Sequence, residues 1–337
     1  MSAARRAVAV IPCLNEREHI ARVIAELLDD PAWEAPSIIV ADGGSTDGSR
    51  EIVSEIAAHD GRVALLHNPG RLQSAGVNLA ARLAAPEARY LVRADAHARY
   101  PTGYVSRLIA EAETTGAVSV VVAMRAYGEA CFQQAAAAAQ NSLIGAGGAP
   151  HRRRGPAGFV DHGHHALFDI EAFLAAGGYD EDFSHNEDAE FDARLAERGG
   201  RIWLTRDVEV AYLPRASAGA LFRQYLNHGR GRARMLLKRR RAPKLRQALP
   251  LAVAPALALA PLAPLAAAPA LAWAAISLGY GVWLGARSRS ACALGAGAAA
   301  MIMHLAWSLG CWSELARAAG RTLRPRPAHG PKQVAPR

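Results

Sequence analysis

IIVADGGSTDGSREIV, residues 38–53, joins a β-branched apolar run to a loop of small and acidic residues and then to a helix-patterned stretch. An apolar run that short, closed by paired glycines, reads as a buried strand ending in a turn. Gly43 and Gly44 permit positive φ and close backbone approach, and Asp47 or a neighbour can cap the helix beyond. Taken alone, the plainer of its two readings is a helix start with nothing bound. G-x-G-x-x-G is absent, so there is no dinucleotide fingerprint.

The same alternation extends on both sides. Strands are predicted at Val8–Pro12, Ser37–Ala41, Val63–His67, Tyr90–Arg93 and Val118–Met124, with helices at Glu18–Leu28, Ser49–Ala58, Leu72–Ala84 and Thr102–Thr114. Such alternation implies an α/β fold, a mostly parallel sheet with helices on both faces. Ligands of these sheets sit beyond the carboxyl ends of the strands, which directs attention to PCLNE (12–16), ADGGSTDGS (41–49), NPGR (68–71) and ADAHARYP (94–101). Asp95 and His97, two apart in extended chain, point to one side, where a carboxylate and an imidazole could share a divalent cation with a diphosphate. The plainer reading is two solvated loop residues.

Further on, VDHGHHALF (160–168) carries His162, His164 and His165. Adjacent His164 and His165 would point oppositely in a strand, and no Glu sits at zincin spacing, so a polar loop lining a substrate pocket is expected. A helix is predicted from about Asn186 to Arg198. Ser184 and Glu187 fit a capping box, and Asp188 in the first turn suits the macrodipole. Glu187, Asp188, Glu190 and Asp192 nevertheless exceed what a cap needs, and a carboxylate at a helix start beside a cleft can take a proton from a hydroxyl.

Charge divides the 337 residues sharply. Net charge is +9, yet RGRARMLLKRRRAPKLR (230–246) holds nine Lys/Arg and no acid, and the tail after Glu314 holds six more. Residues 1–229 are therefore acidic, at −7. A nucleic-acid footprint spread over a fold is excluded as a partner by that partition. No charge occurs over 40 positions from Gln247 to Ala286, nor over 24 from Ser290 to Ser313. One crossing takes roughly 20 such residues, so this block reads as membrane and a simple soluble enzyme is excluded. The basic flank holds residues before it on the cytoplasmic side of the inner membrane. The N-terminal apolar run is too short for a signal peptide. Cys13, Cys131, Cys292 and Cys311 are far apart, so reduced thiols and no zinc site are expected.

Five stretches in order, AVAVIPCLNEREHI, IIVADGGSTDGSREIV, NPGRLQSAGVNLA, YLVRADAHARYP and GGYDEDFSHNEDAEFDARL, resemble the family-2 glycosyltransferases. RADAHARYP, VDHGHHALF and YLNHGRGRAR look most like the succinoglycan-biosynthesis branch. The resemblance implies a GT-A nucleotide-diphospho-sugar transferase fold followed by C-terminal transmembrane helices. It implies inverting transfer of a sugar, glucose from UDP-glucose, to a polyprenyl-diphosphate-linked saccharide in exopolysaccharide synthesis. Nucleotide-sugar contacts would come from Pro12, Asn15, Glu16, Asp42, Arg71 and Asp95. Mn²⁺ or Mg²⁺ would lie at Asp95 and His97, where His97 replaces the second acid of the family's Asp-x-Asp. Asp188 matches the catalytic base, and His164, His165 and Glu187 would line the acceptor pocket. Gly43 replaces the second Asp of the common Asp-Asp-Gly-Ser loop. The alternative is a non-catalytic nucleotide-sugar-binding scaffold in a polysaccharide assembly complex.

Four regions follow: a cytoplasmic transferase domain at 1–215, a basic amphipathic interfacial helix at 216–246 facing membrane lipids, a membrane region at 247–313, and a basic tail at 314–337. Leu221, Phe222, Tyr225 and Leu226 recur at helical spacing in the second, which suits a headgroup boundary. Arg230 and Arg232 could reach a diphosphate. The Q-x-x-R-W motif of processive synthases is absent, which argues against a polymerase that exports its product. Two topologies remain open: three spans would leave the basic tail outside, against the charge rule, whereas two would return it inside.

Overall fold

The computed structural model describes residues 5–31, 33, 37–149, 152 and 155–322, the side chains of residues 5, 6, 165, 166, 321 and 322 excepted. The predicted alternation is present: β1 (Arg5–Cys13), α1 (Ile20–Leu28), β2 (Ile38–Asp42), α2 (Ser49–His59), β3 (Val63–His67), α3 (Gln73–Ala84), β4 (Ala88–Arg93), α4 (Tyr104–Thr115) and β5 (Ser119–Ala126). Next come α5 (Cys131–Gln140), α6 (Leu143–Ala146), β6 (Gly158–Val160), β7 (His164–Asp169), α7 (Ile170–Ala175), α8 (Glu187–Glu197) and β8 (Ile202–Tyr212). Five helices close the chain: α9 (Ala218–Lys238), α10 (Leu245–Leu251), α11 (Val253–Leu259), α12 (Pro264–Ser288) and α13 (Ala296–Thr322).

One eight-stranded sheet runs in the order β3-β2-β1-β4-β7-β5-β8-β6. The first four neighbours are parallel, as expected, whereas β7 enters antiparallel between β4 and β5 and β6 pairs antiparallel with β8. The histidine-rich stretch is thus a central strand from His164 onward, not the loop predicted for it. Ala166, Leu167 and Phe168 carry it through the sheet interior, where apolar alternation outweighs the polar residues before them.

Alternation along β1 builds both layers. Ala7, Ala9 and Ile11 pack with α1 and α4 residues such as Ile20, Ile24 and Leu108; Val8 and Val10 pack with α3 and α7 residues such as Val77 and Phe173. On the second face, Phe168, Phe173, Tyr179 and Phe191 form an aromatic cluster with centroids 4.9 to 6.0 Å apart. Phe191 belongs to α8, so this cluster seats that helix on the sheet.

Three described helical segments are long and apolar enough to cross a membrane: Leu245–Leu262, Pro264–Ser288 and Cys292–Gly320. Pro250 and Pro261 interrupt the first, as proline inside a helix does by removing a donor and crowding the preceding turn. The third differs from the others: 44% of its most apolar window is buried within the protein, against 6% and 17%. Leu221 and Tyr225 of α9 pack with Ala296, Ala299, Ala300 and Met303. A Cβ on Gly229 would lie 2.1 Å from the Trp307 carbonyl oxygen, and one on Gly310 would lie 2.1 Å from that of Leu226. Glycines at the crossing let the two backbones touch. The apolar face assigned to lipid from sequence therefore meets α13. Residues 323–337 of the basic tail lie outside the described residues.

A second correction concerns cysteine. Cys131 and Cys292, expected to be reduced, form a disulfide, because α5 packs on the turn preceding α13 and brings together residues 161 apart in sequence. Cys13 and Cys311 are free and buried.

Truncating Phe191 to alanine should cost about 3–5 kcal/mol, the usual range for emptying a fully buried aromatic site. Thermal unfolding of the purified full-length protein would show this as a lowered midpoint, and an unchanged midpoint would mean that α8 is held by something other than the aromatic cluster.

Candidate active site

β1 and β2 run parallel, with Pro12 opposite Ala41 and Cys13 opposite Asp42, so their following loops are neighbours. Short hydrogen bonds stitch them. Asn15 N–H donates to Ser45 Oγ (2.9 Å), Thr46 N–H to Asn15 Oδ1 (2.9 Å), and Glu16 N–H to Ser49 Oγ (2.8 Å). Asp42 is 1% exposed, and its carboxylate accepts from the amides of Gly44 (2.9 Å) and Ser45 (3.2 Å). Its present contacts thus organise the loop that carries it. The N-cap of the next helix is Gly48, at φ 98° and without a side-chain cap bond, and Asp47 before it accepts from the Ser49 amide at 3.0 Å. Asn15, Glu16, Arg17 and Asp47 line an open cavity of about 420 Å³.

Two residues here hold left-handed backbone, Asn15 at φ 59° and Arg71 at φ 58°. For a non-glycine this costs roughly 1–2 kcal/mol and persists only where surroundings impose it. At Arg71 the third loop also comes close to the second: a Cβ on Gly43 would sit 3.0 Å from the Arg71 carbonyl oxygen. Glycine at position 43, where the family resemblance expects an acid, leaves room for the third loop to close against the second. The Arg71 side chain is exposed.

At the end of β4, His97 Nδ1 lies 3.0 Å from Glu16 Oε1. A carboxylate only accepts, so Nδ1 carries the proton and Nε2 is left over; the bond raises the ring above its ordinary pKa. Among the described residues no cluster of three or more His, Cys, Asp or Glu forms an all-protein metal cage. Asp95 and a carboxylate-oriented imidazole suit instead a cation that takes its remaining ligands from substrate phosphates.

Between β4 and α8 lies a residue that the sequence reading passed over. Arg93 is nearly fully buried and places NH2 3.4 Å from Asp95 Oδ1 and NH1 3.4 Å from Glu187 Oε1, with Tyr179 Oη at 3.3 Å. Gln73 donates to the same Glu187 oxygen at 2.7 Å. Burial raises the Glu187 carboxyl. Glu187, expected in the acceptor pocket, is thus engaged by Arg93 and Gln73. The available signal was a lone arginine in the apolar run YLVR.

The capping box is absent. The α8 N-cap is Asn186, at φ 63° and without a side-chain cap bond; its Nδ2 donates to the His228 carbonyl of α9 at 3.0 Å. Asp188 follows, half-buried, with Oδ2 accepting from His164 Nδ1 at 3.2 Å. Burial alone would raise its carboxyl, but the His164 bond and the charges of His162, His164 and Arg93 hold it well below the carboxylate range. One turn on, Asp192 Oδ2 accepts from His162 Nδ1 at 2.7 Å. β7 thus supplies the partner of Asp188, and the residues just before it supply that of Asp192. The His165 backbone lies in β7, and its side chain is outside the described residues.

A parallel half-sheet with loops gathered at its carboxyl edge, an acid and an imidazole on one side and an oriented carboxylate on the other, is the arrangement of a glycosyltransferase with the GT-A fold. Comparison agrees. Residues 8–175 match Glycosyl transferase family 2. Succinoglycan biosynthesis protein ExoA of Rhizobium meliloti (strain 1021) is 51% identical over 309 residues, 91% of this chain and 94% of that protein. The chain belongs to glycosyltransferase family 2, in its succinoglycan branch. Among solved structures, mannosyltransferase PcManGT from Pyrobaculum calidifontis, in complex with GDP-Man and Mn²⁺, shares the fold at TM-score 0.54 and 18% identity, over 96% of this chain and 82% of that one. GalNAc-T7 with UDP, GalNAc and Mn²⁺ shares it at TM-score 0.52 and 15% identity, over 70% of this chain and 48% of that one.

The His162–Asp192 pair has a pH signature. Burial alone would lower the His162 ring, but the Asp192 bond and the charges of Asp188 and Asp192 outweigh it and the opposing Arg232, so the ring is raised. Burial also raises Asp192, an effect of the same sign. A raised folded-state pKa gives stability that is complete below the unfolded value, about 6.5 for histidine, and is lost as pH rises through the folded value. His162→Gln should therefore melt furthest below the parent protein at pH 6, with the gap narrowing by pH 9; a gap independent of pH would rule out the charged pair.

Proposed function

We propose that this protein is a membrane-bound inverting glycosyltransferase that moves a sugar, glucose from UDP-glucose, onto a saccharide carried on polyprenyl diphosphate during synthesis of a succinoglycan-like exopolysaccharide. The observation that carries this reading is the Arg93 bridge. It ties Asp95, on the donor side, to Glu187, the residue before Asp188. Base and donor contacts are thereby held at a fixed separation.

In this reading Asp188 is the base. Its depressed pKa keeps it ionised, and the His164 bond orients the carboxylate toward the acceptor hydroxyl. As the hydroxyl oxygen attacks the anomeric carbon from the face opposite UDP, Asp188 takes its proton, and inversion follows from a single displacement. Asn15, Glu16, Asp42 and Arg71 hold the nucleotide from the three loops, with Asp42 acting through the loop amides it fixes and Pro12 ending the strand beneath. Asp95 and His97 Nε2 would hold Mn²⁺ or Mg²⁺, which when bound neutralises charge developing on the leaving diphosphate. His164 borders the acceptor side. The resemblance to ExoA over nearly the whole of both chains supports the pathway assignment.

Removing the base should lower transfer by roughly 10²–10⁴-fold, the usual worth of general base catalysis. Asp188→Asn is therefore expected to slow UDP release from UDP-glucose with a lipid-linked acceptor extract by that factor while UDP binding persists, and EDTA should stop the parent enzyme until Mn²⁺ is restored. Full turnover by the variant would eliminate Asp188 as the base, and UDP binding without turnover by the parent, given an acceptor, would favour the scaffold.

The same reading places the enzyme in the cytoplasmic membrane with the transferase domain inside. Residues 245–262 and 264–288 would cross as a hairpin, and α13, docked lengthwise on α9, would lie against the domain instead of forming a third span. The basic tail then returns inside, in agreement with the positive-inside rule. A reporter enzyme active only in the cytoplasm, fused after Arg337, should be active; activity only of a periplasmic reporter there would establish three crossings.

A further inference from the structure

Behind Asp188 lies a cavity of about 100 Å³, lined by Asp161, His162, Ala189, Arg232, Lys244 and Arg246 among others. It opens where α8, α9 and the start of the apolar block meet. Most cations of residues 230–246 are spoken for by acids of the domain. Arg234 pairs with Glu314, Lys238 with Asp180, Arg239 with Glu190 and Glu197, Arg241 with Glu197, and Lys244 with Asp161. Arg230 turns away to Ser313 and Asn227. Among the described cations of this segment, the side chains of Arg232, Arg240 and Arg246 are left with neither a hydrogen bond nor an ion pair; Arg240 is exposed to solvent, whereas Arg232 and Arg246 are half-buried on the cavity wall.

Two guanidinium groups facing one cavity, partly desolvated and unpaired, are an unfavourable arrangement unless an anion joins them. The neighbouring carboxylates act on them only from a distance: Asp161 is bonded to Lys244 and Asp188 to His164, and neither lies within ion-pair distance of Arg232 or Arg246. The planar donor forks of arginine match phosphate oxygens two at a time. Position adds the rest. Ala189 on the wall is the residue after Asp188, and directly beyond Lys244 the apolar block starts with Leu245 and Leu249, 77% and 68% exposed. A ligand with a charged head in this cavity would have its tail beside the exposed leucines and its next group beside the carboxylate.

We infer that this cavity, through Arg232 and Arg246, binds the diphosphate of the lipid-linked acceptor, separately from the donor diphosphate at Asp95 and His97. The inference rests on the lipid-linked acceptor proposed above and names the site that receives its head. The full chain in detergent micelles tests it without turnover, by equilibrium binding of geranylgeranyl diphosphate against geranylgeraniol. The parent protein should prefer the diphosphate by about tenfold or more, as charge-assisted hydrogen bonds require. Arg232→Ala/Arg246→Ala should lose most of that preference, and Arg232→Lys should keep part of it. UDP with Mn²⁺ should fail to displace the probe, and UDP binding by the double variant should be unchanged, which also reports that it is folded. If the double variant does not bind UDP, Arg246→Glu alone provides the same comparison. Displacement by UDP, an undiminished preference in the variants, or no preference in the parent protein would each overturn the inference. Failure of the proposed function would register elsewhere, as absence of UDP-glucose turnover by a protein that still prefers the diphosphate.

Discussion

A buried guanidinium is the constraint on which the site depends. Moving Arg93 out of water costs several kcal/mol, recovered only if good partners meet it inside. Those partners are Asp95 from its own strand end, Glu187 from the start of α8 and the Tyr179 hydroxyl. None is close to another by chain connectivity alone. The fold must therefore bring β4, the Tyr179 turn and α8 to one point, and in doing so it fixes the interval between the Asp95–His97 pair and Asp188. Gln73 at the start of α3 adds a fourth direction.

What holds α8 from the other side is hydrophobic and steric. Phe191 sits in the aromatic cluster beneath it. Behind it, α9 comes so near that a Cβ on Gly231 would lie 2.3 Å from the His185 carbonyl oxygen, and Asn186 bonds the His228 carbonyl. The Asp188 carboxylate, proposed above as the base, thus projects from a helix start pinned by charge in front and by close packing behind. Rigid support of that kind is what a base needs if it is to meet a hydroxyl in the right geometry.

The first five strands and four helices were legible because each is local: a period of two or of 3.6 residues is written in consecutive positions. So were the loops bearing Asn15, Asp42 and Asp95, since they follow parallel strands, whose carboxyl ends carry ligands in this architecture. Legibility failed where the decisive contact is distant in sequence. β7 reads as polar at its start, and only its neighbours β4 and β5 make it a strand. The basic segment reads as lipid-facing, because nothing nearby in the chain announces that Asp161, Asp180, Glu190, Glu197 and Glu314 will neutralise much of it. Cys131 and Cys292 looked unrelated for the same reason, and Arg93 looked like an oddity in an apolar strand until both its acids were in place.

The close approach of α9 and α13 at Gly229 and Gly310 bears on what counts as a domain here. Hydropathy draws a border near residue 246 and assigns everything beyond it to the membrane. Packing ignores that border: the face of α9 that bears Leu221 is completed by Met303 and its neighbours, and an adjacent face, at Gly231, supports the start of α8. The packing of the transferase domain therefore continues into the last apolar helix, which is a structural member of the domain rather than a tether attached to it.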